Sequence, residues 1–181
     1  EFWSLDFDVG PGVLVPRPET ETLIEAVIRY FPDKSAPLDI LDLGIGTGCL
    51  LVAALSEYPN ARGVGIDASD EALRWARRNV EKHRLAERCQ LKLGNWNEVP
   101  HRSADVILSN PPYIRTEDIP TLAPEVRKFE PASALDGGPD GLDAYRSLAG
   151  LLGPILRSEG RVFLEIGQGQ AEVVTAAARA L

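Results

Sequence analysis

The chain has 181 residues, 44% of them hydrophobic, and a formal net charge of −8. That is enough apolar material for one globular core, and the acidic balance argues against a broad nucleic-acid surface, which would be basic. No apolar run reaches the ~18 residues of a membrane span, and no secretory signal pattern is visible, so a cytoplasmic protein without a membrane partner is expected. The chain contains no Met, so a piece of a longer protein is expected. Cys49 and Cys89 are isolated, fit no metal or redox spacing, and are expected to be reduced. His83 and His101 have no Cys or His neighbour at ligand spacing, so no metal is expected.

The opening segment is aromatic, then turn-rich, and ends in Pro-Arg-Pro-Glu-Thr-Glu, Pro16 to Glu21. Leu23, Ile24, Val27, Ile28 and Phe31 then recur at helical spacing, and Pro18 suits a first turn. Pro32 and Pro37 bracket a loop. Leu38 to Gly44 reads as a buried strand, Cys49 to Tyr58 as a helix, and Arg62 to Asp67 as a second strand. Ser69 is placed to cap the next helix, with Asp70 and Glu71 in its first turn. Ala72, Leu73, Ala76 and Val80 form its apolar face; Arg74, Arg77, Arg78 and Lys82 form a solvated one. Cys89 to Gly94 and Ala104 to Asn110 read as strands three and four. A Pro/Gly-rich stretch runs to about Gly141, a helix covers Leu142 to Leu156, a fifth strand Gly160 to Gly167, and a last helix Gln170 to Leu181. Alternating strands and helices imply βαβ units, a mostly parallel sheet and helices on both faces. Residues 1–37 are expected to pack as an opening segment and helix on a single domain, 38–181.

Ligands of such sheets bind at the carboxyl ends of the strands. There stand Gly44, Gly46 and Gly48, with Asp67 ending the next strand. Glycines let the backbone approach a ligand closely, and a carboxylate at Asp67 can accept both hydroxyls of a ribose. The spacing is not the G-x-G-x-x-G of dinucleotide sites, and no Walker lysine follows. It resembles the S-adenosylmethionine loop of Rossmann-like class I methyltransferases. Ile45, Thr47 and Ala68 would join the cofactor contacts. Asn95 and Trp96 end strand three, where an adenine would lie; ordinary packing accounts for Trp96 equally well.

Asn110, Pro111, Pro112 and Tyr113 follow strand four. Two prolines stop the strand and make a stiff elbow. The elbow is similar to the (N/D)PPY motif of methyltransferases that act on planar nitrogens: exocyclic amines of bases and the glutamine side-chain amide. The resemblance implies that the Asn110 side-chain oxygen and the Pro111 carbonyl accept both N–H hydrogens. That localises a delocalised lone pair. Tyr113 and Pro112 would pack against the planar group, and Asn110 would border the cofactor. No metal, general base or covalent intermediate is implied; positioning carries the rate.

Substrate class comes from the flanks. Val13 to Leu23 resembles the (I/V)PRPETE segment of the release-factor glutamine methyltransferases, the HemK family. Phe2 to Val9 is similar to its aromatic opening, and Val126 to Arg146 to its F-E-P…AL…G-x-D-G-L stretch. The resemblance covers nearly the whole chain. It implies S-adenosyl-L-methionine as donor, S-adenosyl-L-homocysteine as product, and the Gly-Gly-Gln glutamine of class 1 peptide-chain release factors as acceptor, a role in translation termination. A monomer with no direct nucleic-acid contact is expected. Ile45 stands where the family usually has Thr, and Asn95 where it usually has Asp. The family's N-terminal helical domain and final hairpin have no counterpart in this sequence.

Some residues keep two readings. Arg17 and Glu19 either line the substrate channel or simply open a helix. Glu130 and Pro131 either order a loop over the elbow or only pack. An adenine- or guanine-amine methyltransferase would explain the elbow equally well but fits poorly with the −8 charge and with Pro16 to Glu21. A non-catalytic binding module would predict a damaged elbow or glycine loop, and both are intact.

Overall fold

The structure, a computed structural model, describes residues 1–96, 99 and 103–179. The expectations for His101 and for residues 180–181 fall outside them. A 3₁₀ turn, Pro18–Thr20, leads into α1 (Glu21–Tyr30). Strands and helices then alternate: β1 (Asp39–Leu43), α2 (Cys49–Glu57), β2 (Arg62–Asp67), α3 (Asp70–Lys82), β3 (Cys89–Leu93) and β4 (Ala104–Ser109). Two short helices, α4 (Pro124–Phe129) and α5 (Ala132–Leu135), precede α6 (Asp143–Ile155), β5 (Leu156–Leu164) and α7 (Ala171–Arg179).

The strands form one parallel sheet in the order β3-β2-β1-β4-β5. Side chains alternate across it, as strand geometry demands. Ile40, Val106 and Leu108 join the cluster built with α1, α2 and α3. Leu41, Leu43 and Ile107 face the other way, onto Leu148, Leu152 and Ile155 of α6. Burial on both faces is why β1 and β4 are rich in Ile, Leu and Val. Helix α2 is buried from Leu50 through Leu55, as expected of a helix apolar all round. Arg88 donates to the carbonyls of Leu55, Tyr58 and Ala61 at 2.7–3.2 Å and so satisfies its C-terminal end.

Ser69 caps α3, its hydroxyl accepting from the Ala72 amide at 3.2 Å. The apolar stripe of α3 is buried as expected, and buried with it is a polar residue, Asn79. Its amide bonds the backbone of Asp8 from both sides and donates to the Thr47 carbonyl at 2.9 Å. The basic face is exposed, but Arg78 and Lys82 are engaged by the Asp8 carboxylate. Helix α3 thus holds the opening segment by side chains from two of its faces.

Two expectations are corrected. The fifth strand starts at Leu156, directly out of α6, and ends at Leu164. Leu156 pairs with Ala104 but Arg161 with Val106, so residues 157–160 form a bulge. Its turn-forming Ser158, Glu159 and Gly160 disguise the strand's beginning. The stretch up to Gly141 is not wholly irregular either: it holds a 3₁₀ turn at Thr116–Thr121, then α4 and α5. Neither the 3₁₀ turn nor α4 has a buried residue, so no apolar periodicity betrays them.

The chain builds β1, β2 and β3 in one direction, then crosses to place β4 on the other side of β1. The carboxyl ends of β1 and β4 therefore flank the switch point, where an open α/β sheet leaves a crevice. Among the described residues no helix is long and apolar enough to cross a membrane.

Candidate active site

A cavity of about 870 Å³ opens at this switch point. Gly44, Ile45, Gly46 and Thr47 line it from the loop after β1, Asp67 and Ala68 from the end of β2, and Asn95 and Trp96 from the end of β3. Asn110, Pro111 and Pro112 line it from the elbow, and Arg17 from the opening segment. Gly48, Glu19 and Tyr113 stand outside that lining.

The glycine loop is fixed from below. The amides of Gly44 and Ile45 both donate to the Ile66 carbonyl, at 2.9 and 3.0 Å. Asp67 holds the next turn: one carboxylate oxygen accepts from the Gly46 amide and the other from the Ser69 amide, each at 2.9 Å. A carboxylate offers about four lone-pair sites, so Asp67 keeps acceptor capacity toward the cavity. Gly46 has φ +54, and a Cβ there would meet nothing within 4 Å. Glycine is needed there for backbone conformation, and the space it leaves is open to a ligand. Ile45 turns downward: its side chain is buried and packs where a Cβ on Gly65 would stand, 2.1 Å from Ile45 Cδ1.

Asp42 lies beneath this loop, 1% exposed. Among the described residues, neither of its carboxyl oxygens has a hydrogen-bond partner. Burial, and then the charge of Asp67, push its carboxyl up to about 7; the Leu51 amide lies close enough to oppose this but lacks hydrogen-bond geometry. Cys49 and Cys89 are free, half-buried thiols that desolvation pushes up to about 12.

The elbow is anchored through Glu165, just past β5. The Glu165 amide donates to the Ser109 carbonyl at 3.0 Å, and its own carbonyl accepts from the Tyr145 hydroxyl at 2.9 Å. Its carboxylate accepts from Tyr113 at 3.0 Å and from Thr20 at 2.5 Å. Thr20 in turn accepts from the Asn110 side-chain amide at 3.2 Å. Burial, and the Glu165 carboxylate after it, push the Tyr113 phenol up to about 12. Tyr113 is therefore a fixed donor to Glu165. Among the described residues, nothing donates to Asn110 Oδ1 or to the Pro111 carbonyl.

Beyond the elbow the chain folds back on itself. Ile114 exchanges backbone hydrogen bonds with Leu135 and Gly137 at 3.0 and 2.8 Å. Gly141 has φ +76, and a Cβ there would stand 2.4 Å from the Tyr113 carbonyl; both facts require glycine. Arg17 pairs with Glu130, and the adjoining Pro131 lines the cavity.

Local spacing does not reveal Thr20, Asn79 or the hub at Glu165. The available signals are a polar residue inside the inward stripe of α3 and a carboxylate ending an apolar strand.

Residues 20–126 match the family model of the methyltransferase small domain. The chain belongs to that family. It is 48% identical over 180 residues to the release factor glutamine methyltransferase of Caulobacter vibrioides, a match covering 99% of this chain and 62% of that protein. It is 45% identical over 173 residues to the protein of the same name from Rhodospirillum rubrum, covering 96% and 53%. The chain thus spans 53–62% of the length of these relatives. The solved RNA methyltransferase of Salinibacter ruber, in complex with S-adenosyl-L-homocysteine, matches with a TM-score of 0.57 at 21% identity, over 87% of this chain and 81% of that one. The shared fold is that of the Rossmann-like class I methyltransferases.

Proposed function

We propose that this chain is the catalytic part of a protein that transfers a methyl group from S-adenosylmethionine to N5 of a glutamine, that of the Gly-Gly-Gln loop in class 1 peptide-chain release factors. The observation that carries the reading is the pair of open acceptors, Asn110 Oδ1 and the Pro111 carbonyl, at the end of the strand beside the glycine loop. The names of the relatives supply the substrate.

The residues suit the donor. Gly46 borders open space, Asp67 retains acceptor capacity for ribose hydroxyls, and Asn95 and Trp96 stand at the far side of the same cavity. S-adenosylmethionine, when bound, supplies an electrophilic methyl group. The chain's own part is to prepare the nitrogen. Asn110 Oδ1 and the Pro111 carbonyl accept the two amide hydrogens of the glutamine. Delocalisation is then weakened and the lone pair turns out of the amide plane. Because the elbow is stiff and is tied to the buried Thr20 and Ser109, this geometry exists before substrate arrives, and preorganisation of this kind carries most of the acceleration. The Tyr113 ring, pinned at its hydroxyl by Glu165, stiffens the elbow from outside the cavity lining. The protein works as a cytoplasmic monomer and needs no metal.

The test uses the full-length protein and labelled S-adenosylmethionine. It is offered a class 1 release factor, the same factor with its Gly-Gly-Gln glutamine replaced, and a mixed oligonucleotide. Label on the intact factor alone, located on that glutamine by mass spectrometry, is the expected result. Label on the oligonucleotide would replace the protein substrate by a nucleobase amine.

A further inference from the structure

A side-chain amide has two faces that differ only in which atom is O and which is NH₂. Asn110 is useful to a substrate amide only if its oxygen faces the cavity; turned over, it would present a donor to a donor. Something must hold the orientation. We propose that Thr20 and Glu165 are positioning residues that lock the Asn110 amide with its oxygen toward the substrate, an inference that rests on the function proposed above.

The lock follows from donor counting. An ionised carboxylate only accepts. Thr20 therefore commits its single proton to Glu165, at 2.5 Å. Its hydroxyl oxygen can then only accept from Asn110, and does so from the NH₂ at 3.2 Å. The amide oxygen is left facing the other way. Nothing in the chain is free to reverse. Thr20 is 2% exposed, so water cannot stand in for either partner. The other Glu165 oxygen is held by Tyr113 at 3.0 Å, and that phenol keeps its proton to about pH 12. The Glu165 backbone is tied to Ser109, the residue before Asn110, at 3.0 Å. The chain runs from the opening segment, through the fifth strand's end, back to the elbow. It also gives Thr20 a role that opening a helix does not explain, because its hydroxyl makes no cap hydrogen bond to α1.

The experiment compares Thr20→Val, Thr20→Ser and Glu165→Gln with wild type in the full-length protein. Thr20→Val keeps the shape and removes both hydrogen bonds. It is expected to lower kcat by about 10- to 100-fold, the scale of a misplaced reacting group, with KM for the release factor and Kd for S-adenosylmethionine changed less than about twofold. Thr20→Ser restores kcat to within about threefold. Glu165→Gln can accept from only one of the two hydroxyls that now donate to it, and gives an intermediate loss. Retained kcat in Thr20→Val, or a Thr20→Ser variant as slow as Thr20→Val, overturns the lock. Should Thr20→Val fail to fold, the near-isosteric Glu165→Gln decides by the same criterion. The NMR signals of the Asn110 side-chain NH₂ report on the lock without any turnover: they should be shifted and slow to exchange in wild type and lose both properties in the variants. If wild type leaves the release factor unmodified, the substrate reading has failed, while these signals still decide the lock.

Discussion

Arg17 and Glu130 lie 113 residues apart in sequence, yet one Arg17 Nη2 sits 2.6 and 2.7 Å from the two carboxylate oxygens of Glu130. The contact ties the opening segment to the chain after α4. Its two ends are unequally solvated: the Arg17 side chain is 35% exposed and that of Glu130 only 6%. Removing Arg17 strands a buried carboxylate, whereas removing Glu130 leaves a cation that can reach water. Arg17→Ala should therefore destabilise by about 2 kcal/mol, between the scales of surface and buried pairs, and Glu130→Ala by clearly less. Thermal melting of both variants checks the order; equal losses would place the pair at the surface energetically.

Asp67 and Asn110 should separate binding from turnover. Asp67→Ala is expected to weaken S-adenosylmethionine binding by ~1.5–3 kcal/mol, the scale of a hydrogen bond to a charged group. The glycine loop also loses the acceptor of its Gly46 amide. Asn110→Ala should lower kcat by on the order of 10²–10³, as when a preorganised polar contact is deleted elsewhere, with cofactor affinity nearly intact. Calorimetry beside steady-state kinetics reads both; a shared pattern in the two variants would contradict the division.

Asp42 predicts a pH dependence. Its carboxyl ionises near 3.8 in the unfolded chain and at about 7 in the folded one. Between those values the folded state holds the extra proton. Stability from this group is complete below about pH 4, falls as pH rises, and levels off above about 7. Asp42→Asn has no such titration. Its melting temperature should exceed that of wild type most at pH 8, with the gap closing toward pH 4.5. A gap that widens on acidification would falsify the assignment.

Gly141→Ala should destabilise, because the added methyl meets the Tyr113 carbonyl at 2.4 Å and the backbone is at φ +76. Ser109 and Glu165 are joined independently of that contact, so cofactor binding should survive wherever the variant remains folded. A melting temperature equal to wild type would mean that residues 137–141 do not press on the elbow.

Cys49 and Cys89, pushed up to about 12 by burial, should alkylate slowly at pH 8 in native protein and rapidly in denaturant. Fast native labelling of either would show a thiolate that the structure does not provide.

The centre of the sheet, β1 and β4, was legible because parallel strands buried on both faces are short and mostly apolar. The glycine loop, Asp67 and the elbow were legible because each is a local pattern at a strand end. Other features were hidden for physical reasons. The bulge in β5 carries turn residues inside a strand. The 3₁₀ turn at Thr116–Thr121 and helix α4 bury nothing and so leave no stripe. Thr20 meets Glu165 across 145 residues, and no spacing rule reaches that far. Asn79 ties three segments together through its side-chain amide, and its partners Asp8 and Thr47 lie 71 and 32 residues away in sequence.

Ile40 to Asp42 pair with Val106 to Leu108, so the glycine loop and the elbow, proposed to hold cofactor and amide, hang from adjacent strands. Such strands are held about 4.8 Å apart by main-chain hydrogen bonds. The span between glycine loop and elbow is thus set by peptide groups, which side-chain substitution leaves untouched. A change in which acceptor fits must therefore come from the side chains around this span, not from the span itself.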